Sequence, residues 1–229
     1  MNSNIILFGL FPYMAAVVCL VGCWVRYDRE QYSWKAGSSQ ILRTKGMRMA
    51  SNAFHVGILI VLAGHIVGLL TPESIYHHVI STPNKQLLAM VSGGLFGALC
   101  FVGMTMLIVR RFTDERVKAS SSFSDNLVLI LLYIQLILGL STIYASSHHM
   151  DGSVMVLLAN WAQSIALFRP MEAAASIASV SLVYKLHVFL GMVLFLIFPF
   201  TRLVHIISGL AAPVKYLLRN YQIVRQKRA

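Results

Sequence analysis

Phe54-His55-Val56-Gly57-Ile58-Leu59-Ile60-Val61-Leu62-Ala63-Gly64-His65 is an apolar run with a histidine at each end. Residues 51–70 contain no Asp, Glu, Lys or Arg, and they supply the roughly 20 residues that an α-helix needs to cross a hydrocarbon core of about 30 Å. Histidine among lipid tails is costly unless its ring nitrogens are satisfied, so an ionisable residue at membrane depth points to a function. Neutral imidazole is a standard axial ligand for haem iron. The same signature recurs near the end of the chain, where His187 and His205 lie in the apolar stretch 183–207.

Composition carries the membrane reading to the whole chain. Of 229 residues, 57% are hydrophobic and 12% charged, against about 25% charged in soluble domains. The mean hydropathy is +0.71. The net charge of +11 does not make a nucleic-acid-binding face, because the 19 Lys and Arg sit in short segments between apolar runs. An all-α membrane protein is expected, a single unit over residues 1–229. Its five transmembrane helices fall near residues 5–25, 51–70, 87–109, 126–145 and 183–207.

Basic residues alternate between connections. They crowd the first (Arg26 to Arg48), the third (Arg110 to Lys118) and the tail (Lys215 to Arg228), and they are sparse in the second and fourth. The positive-inside bias then places the N-terminus outside and the C-terminus in the cytoplasm, with residues 208–229 a cytoplasmic tail. Residues 152–168 are apolar and nearly long enough to span. They carry Asn160, Trp161 and Gln163, and a sixth crossing would move the basic tail outside, so residues 146–182 read as an outer-face loop with an interfacial helix.

Leu20-Val21-Gly22-Cys23 has the look of a lipoprotein cleavage box, but no positive charge precedes the apolar stretch, as a signal peptide requires. The first helix is expected to stay in the mature protein. Cys19, Cys23 and Cys100 all fall within spans and form no C-x-x-C or C-x-x-C-H pattern, which excludes covalent c-type haem and an iron-sulfur cluster held by this chain. Any haem is held by axial ligation alone.

Depth pairs the histidines. The second helix enters from the cytoplasm, so His65 lies about 15 Å nearer the outside than His55 at 1.5 Å per residue. The fifth runs the other way, and His205 lies about 27 Å deeper than His187. His65 therefore meets His187, and His55 meets His205. The separations differ, and a bend at Pro199, which removes a backbone donor, is expected to absorb the difference. The product is two bis-histidine haems stacked between the second and fifth helices. Gly57, Gly64, Gly68 and Gly191 leave room for a flat macrocycle, although glycine also serves close helix packing. A single intramembrane histidine could equally bond across helices or relay protons; four paired by depth favour haem. His77, His78, His148 and His149 fall in outer loops and carry no such signal.

Several motifs together resemble the gamma subunit of respiratory nitrate reductase, a dihaem cytochrome b. They include Trp24-Val25-Arg26-Tyr27-Asp28, Ala50-Ser51-Asn52 leading to Phe54-His55-Val56-Gly57, Gly64-His65, Leu70-Thr71-Pro72 and His149-Met150-Asp151-Gly152-Ser153. Trp161-Ala162-Gln163-Ser164, Leu186-His187, Phe198-Pro199-Phe200-Thr201-Arg202-Leu203-Val204-His205 and Lys215-Tyr216-Leu217 extend the likeness over essentially the whole chain. All four ligand positions of the family are present.

The resemblance implies two non-covalent haems b in a bacterial cytoplasmic (inner) membrane, His65 and His187 holding the distal one and His55 and His205 the proximal one. It implies quinol oxidation near the outer face, with protons released there. Electrons then pass through the proximal haem to an iron-sulfur subunit and a molybdenum catalytic subunit that reduces nitrate on the cytoplasmic side. Lys85, with Gly64 beside His65, is the matching quinol-site candidate. An ammonium can donate a charge-assisted hydrogen bond to a quinone oxygen, although an interfacial lysine can also simply snorkel to headgroups. Arg110, Arg111 and above all Arg202, within one turn of His205, are candidates for the proximal haem's propionates; the positive-inside rule predicts arginines there as well. Tyr27, Tyr32, Trp34, Tyr216 and Tyr221 among basic residues suit an aromatic belt or, with the family in view, a docking surface for the soluble subunits. A dihaem subunit of a sulfur or disulfide redox complex, or a haem-free anchor, are the rival functions. Co-purifying subunits separate the first, and haem b absorption bands the second.

Overall fold

The computed structural model describes residues 3–34, 37, 39, 42 and 45–207. The basic tail with Tyr216 and Tyr221 lies outside the described residues. Five segments are long and apolar enough to cross a membrane: Ile5–Arg29, Met47–Leu70, Thr82–Thr113, Phe123–Ser146 and Leu182–Phe200. The described residues are helical or irregular, with no strand among them.

The first span is a π-helical turn, Ile5–Leu10, running into α1, Phe11–Arg29. Pro12 has no N–H to give the carbonyl of Phe8 four residues back, and Trp161 Nε1 donates to that carbonyl at 2.9 Å. The second span is α2, Met47–Leu70, and the third, after the short α3, Glu73–Tyr76, is α4, Thr82–Thr113. These two pack backbone to backbone. A Cβ on Gly57 would come within 2.6 Å of the Phe96 carbonyl and 2.7 Å of Cys100 Cβ, and one on Gly103 would strike the amide of Phe54 and the carbonyl of Ala50. Small residues at a crossing allow this approach where lipid supplies no hydrophobic drive. Gly57 is thus a packing residue, not an opening for a macrocycle.

α5, Glu115–Ala119, leads into the fourth span, α6, Phe123–Ser146, which opens with a reciprocal capping box between Ser122 and Asp125. Tyr133 of α6 stacks on Phe101 of α4 and shares a 3.0 Å hydrogen bond with Thr105 Oγ1, so its phenol is satisfied. α7, Ser153–Ala166, is 14 residues long, too short to span, as expected from its polar residues. Trp161 reaches the first span, and Gln163 Nε2 donates to the carbonyls of Leu69 (3.0 Å) and Thr71 (3.5 Å) at the end of α2. α7 therefore caps the exposed ends of two spans. α8, Pro170–Ser176, follows and packs its Pro170 against Gly9.

The fifth span departs from expectation. In place of one bent helix over residues 183–207, α9 covers Leu182–Ile197 and ends there, a 3₁₀ turn covers Phe198–Phe200, Thr201 is extended, and a second 3₁₀ turn covers Arg202–Val204 ahead of His205. The helix is broken, not bent. Past the end of a helix the carbonyls lack the partners that a further turn would supply, and those of residues 198–201 are met by side chains. The Phe198 carbonyl accepts from Thr201 Oγ1 at 3.1 Å, and that of Phe200 from Ser124 Oγ at 3.2 Å. Those of Pro199 and Thr201 both accept from Arg26 Nη1, at 2.7 and 2.8 Å. Gly22, one turn before Arg26, admits the Pro199 ring, which a Cβ there would approach within 2.7 Å.

Candidate haem-binding site

Four histidines, two on α2, one on α9 and His205 just past the fifth span, meet in two pairs. The rings of His65 and His187 have centroids 6.0 Å apart, and those of His55 and His205 6.4 Å apart. Both pairings follow the depth argument. The break explains how both close at once. From His55 to His65 along α2, and from His187 to Ile197 along α9, the rise is about 15 Å in each case. Residues 198–205 therefore carry the chain sideways more than deeper, and the longer sequence spacing disappears.

A bis-histidine haem imposes a definite separation. Two metal–nitrogen bonds of about 2 Å on opposite sides of one iron, plus about 1 Å from each nitrogen to its ring centre, put imidazole centroids roughly 6 Å apart. Both pairs meet that requirement. The ring nitrogens agree as well. His55 Nδ1 donates to the Ser51 carbonyl at 2.7 Å, His65 Nδ1 to that of Val61 at 2.8 Å, and His205 Nδ1 to that of Arg202 at 2.6 Å. A carbonyl can only accept, so the proton of each neutral ring sits on Nδ1 and the lone pair on Nε2. This is the arrangement that orients a metal-ligating imidazole. His187 is the exception: among the described residues its buried Nδ1 meets no acceptor in hydrogen-bond geometry.

Space beside the rings is uneven. A Cβ on Gly64 or Gly68 would meet nothing within 4 Å, whereas one on Gly139 of α6 would come 3.0 Å from His187 Cε1. Gly64 and Gly68 border open volume next to His65, and Gly139 makes room for the facing ring. A Cβ on Gly191 would lie 3.3 Å from Gln135 Nε2, so that glycine serves helix packing.

Lys85 lies in the first turn of α4 with its ammonium 3.6 Å from the centre of the Tyr76 ring. Its Nζ is buried and donates no hydrogen bond among the described residues. At the other end, Arg110 donates to Ser39 Oγ and the Ser39 carbonyl, both at 2.8 Å. Arg111 donates to Ser121 Oγ at 3.0 Å and approaches Asp125 at 4.0 Å. Arg202 lies 3.6 Å from Asp125 and donates to the Gly37 carbonyl at 2.9 Å. These guanidiniums bind the first connection and α6 at the His205 end. Gln135 and Arg26, to which the sequence pattern assigns no role at the site, both bind the fifth span: Gln135 Nε2 donates to the His187 carbonyl at 3.0 Å and Arg26 Nη1 to the Pro199 carbonyl at 2.7 Å. Gln135 was visible in principle, as an uncharged amide in mid-span.

Five helical spans among the described residues, with two histidine pairs joining the second span to the fifth and to the turn that follows it, have the form of a membrane cytochrome subunit. The model of the nitrate reductase gamma subunit family matches residues 4–227. The chain is 47% identical over 224 residues to the respiratory nitrate reductase 1 gamma chain of Escherichia coli (strain K12), covering 98% of each chain. It is 46% identical to the respiratory nitrate reductase 2 gamma chain of the same organism, again over 98% of both. The nitrate reductase gamma chain of Bacillus subtilis (strain 168) is 35% identical, over 98% of this chain and 99% of that one. The chain belongs to the nitrate reductase gamma subunit family, as a multi-pass membrane protein.

Proposed function

We propose that this protein is the quinol-oxidising cytochrome b subunit of a respiratory nitrate reductase, in a bacterial inner membrane. The observation that carries the reading is the pair of histidine contacts at 6.0 and 6.4 Å, each at the spacing one haem iron requires. Bound there, two haems b supply one-electron carriers at two depths of the bilayer. His65 and His187 hold the one near the outer face, and His55 and His205 the one near the cytoplasm, in the orientation set by the basic first and third connections.

Lys85 and the open edge at Gly64 form the quinol end. The ammonium is desolvated and held over Tyr76 without an acceptor among the described residues, so it can donate to a quinol oxygen as electrons leave. Protons are released to the outer side. Arg110, Arg111 and Arg202 gather at the His205 end, where guanidinium pairs with propionate carboxylates. Tyr27 and Trp34, in edge contact at 5.7 Å, belong to the surface that receives an iron-sulfur subunit and, behind it, a molybdenum subunit reducing nitrate.

The test is a haem count and reduced-minus-oxidised spectrum of the purified complex, with its subunits identified. Two haems b per chain and quinol-dependent nitrate reduction are expected. Absence of haem bands overturns the reading, and two haems without an iron-sulfur and molybdenum partner would move it to another redox complex. Replacing His65 or His187 by alanine should remove one haem and leave the other, as should replacing His55 or His205, with the complementary haem lost.

A further inference from the structure

Tyr76 closes α3, buried beneath the Lys85 ammonium, which lies 3.6 Å from the centre of its ring. From its hydroxyl an unbroken line of polar atoms runs to the surface. Tyr76 Oη and Thr82 Oγ1 share a hydrogen bond of 3.1 Å, and Thr82 Oγ1 and His77 Nε2 one of 2.7 Å. The same His77 nitrogen lies 3.2 Å from Glu73 Oε1. Burial falls off along the line: Tyr76 is buried and Thr82 half-buried, while the side chains of His77 and Glu73 are 49% and 52% exposed.

The local fold fixes Thr82 in the middle of this line. The turn from α3 into α4 brings Tyr76 and His77, adjacent in sequence, onto one threonine hydroxyl. Gly152, left-handed at φ +82°, packs against the threonine methyl so closely that a Cβ there would strike Thr82 Cγ2. The methyl is seated against that turn, and Oγ1 faces Tyr76 and His77. A His–Glu contact this exposed adds little stability. Its chemistry is more telling: a hydroxyl both donates and accepts, so it can take a proton on one side as it yields one on the other. Imidazole is the side chain that takes up and releases protons near neutral pH.

We propose that Tyr76, Thr82, His77 and Glu73 form the route by which the protons of quinol oxidation reach the outer surface. This route rests on the quinol role of Lys85 and the orientation given above. A hydrogen bond spans about 2.8 Å, so a quinol hydroxyl that accepts from Lys85 Nζ above the ring is within reach of the Tyr76 hydroxyl at the ring's edge. As quinol yields an electron to the outer haem, its O–H proton passes to Tyr76 Oη. The Tyr76 proton passes to Thr82 Oγ1, and the Thr82 proton to the lone pair on His77 Nε2. The quinol O–H bond breaks, an N–H bond forms, and neither hydroxyl oxygen is left charged. The Glu73 carboxylate stabilises the imidazolium, takes the proton from the same nitrogen and yields it to outer water. Rotation of the two hydroxyls resets the line for the second proton.

The experiment measures quinol-dependent nitrate reduction by the intact complex, relative to the rate with an artificial donor that feeds the soluble subunits directly. In Thr82→Val and His77→Ala this relative kcat should fall about tenfold, with KM for quinol little changed because the Lys85 contact is kept. Glu73→Gln should act in the same direction by a smaller factor. Two further readouts would not respond to a purely structural role: Thr82→Ser should recover the rate lost in Thr82→Val, and imidazole added to the medium should restore His77→Ala. Three results overturn the route: wild-type kcat in both Thr82→Val and His77→Ala, an equal loss with the artificial donor, or deficits that neither serine nor imidazole recovers. Should Thr82→Val fail to assemble, His77→Ala at the exposed end still decides through imidazole. Wild-type quinol kinetics in Lys85→Ala would overturn the quinol site itself, which is a different result from a slow Lys85→Ala beside a fast His77→Ala.

Discussion

Arg26 of the first span and Pro199 of the fifth are joined by a 2.7 Å hydrogen bond from Nη1 to the proline carbonyl, and the same nitrogen reaches the Thr201 carbonyl at 2.8 Å. The first span contributes no histidine to either pair, yet it holds the break that delivers His205 to His55. Hydrogen bonds to a charged group are worth about 1.5–3 kcal/mol each. Arg26→Gln should therefore weaken the break and lower occupancy of the haem on the His55/His205 pair, with the other retained. Arg26→Lys, which keeps the charge but not the fork, should fall between. A haem count per chain checks both, and two full haems in Arg26→Gln would show that the break stands without its clamp.

The two faces of α2 make a second contrast. A side chain at Gly57 would collide with Phe96 and Cys100, whereas Gly64 borders open volume beside His65. Gly57→Leu should separate α2 from α4 and destabilise the whole protein by about 1–3 kcal/mol or more, disturbing both haems. Gly64→Leu should leave the helix packing intact and reduce occupancy of the outer haem alone. Thermal stability and the haem spectrum, measured on the two variants together, distinguish these outcomes.

Much of this arrangement is legible in the sequence, and its limits have a physical reason. Span number follows from apolar length, and the pairing of His65 with His187 and His55 with His205 from depth alone. Pro199 announces that one backbone donor is missing, which argues for a bend. Whether the helix then resumes depends on Gly22, Arg26 and Ser124, which lie far away in sequence and meet the freed carbonyls only in the folded chain. The same holds for Arg110 and Arg202. Their position near a helix end is readable, but their engagement with Ser39, Asp125 and Gly37 is a tertiary fact.

Trp161 tests the role of α7. Its indole donates to the Phe8 carbonyl that Pro12 cannot serve. Trp161→Phe keeps the ring packing and removes the donor, so it should cost about 1 kcal/mol of stability and leave both haems in place. Loss of a haem would mean that α7 does more than cap the ends of the first two spans.

Lys85 separates binding from electron transfer. Its ammonium is buried over Tyr76 with no hydrogen-bond acceptor among the described residues, which leaves it free to donate to a quinol oxygen. Losing a charge-assisted bond worth about 1.5–3 kcal/mol corresponds to roughly tenfold to hundredfold in kcat/KM. Lys85→Ala should show a decrease of that size with quinol as donor. Reduction of nitrate with an artificial donor that feeds the soluble subunits directly should be unaffected, and both haems should remain. Tyr76→Leu frees the ammonium to turn toward headgroups and should lower the same constant by a smaller factor. Wild-type quinol kinetics in Lys85→Ala would remove Lys85 from the quinol site and leave it an interfacial lysine.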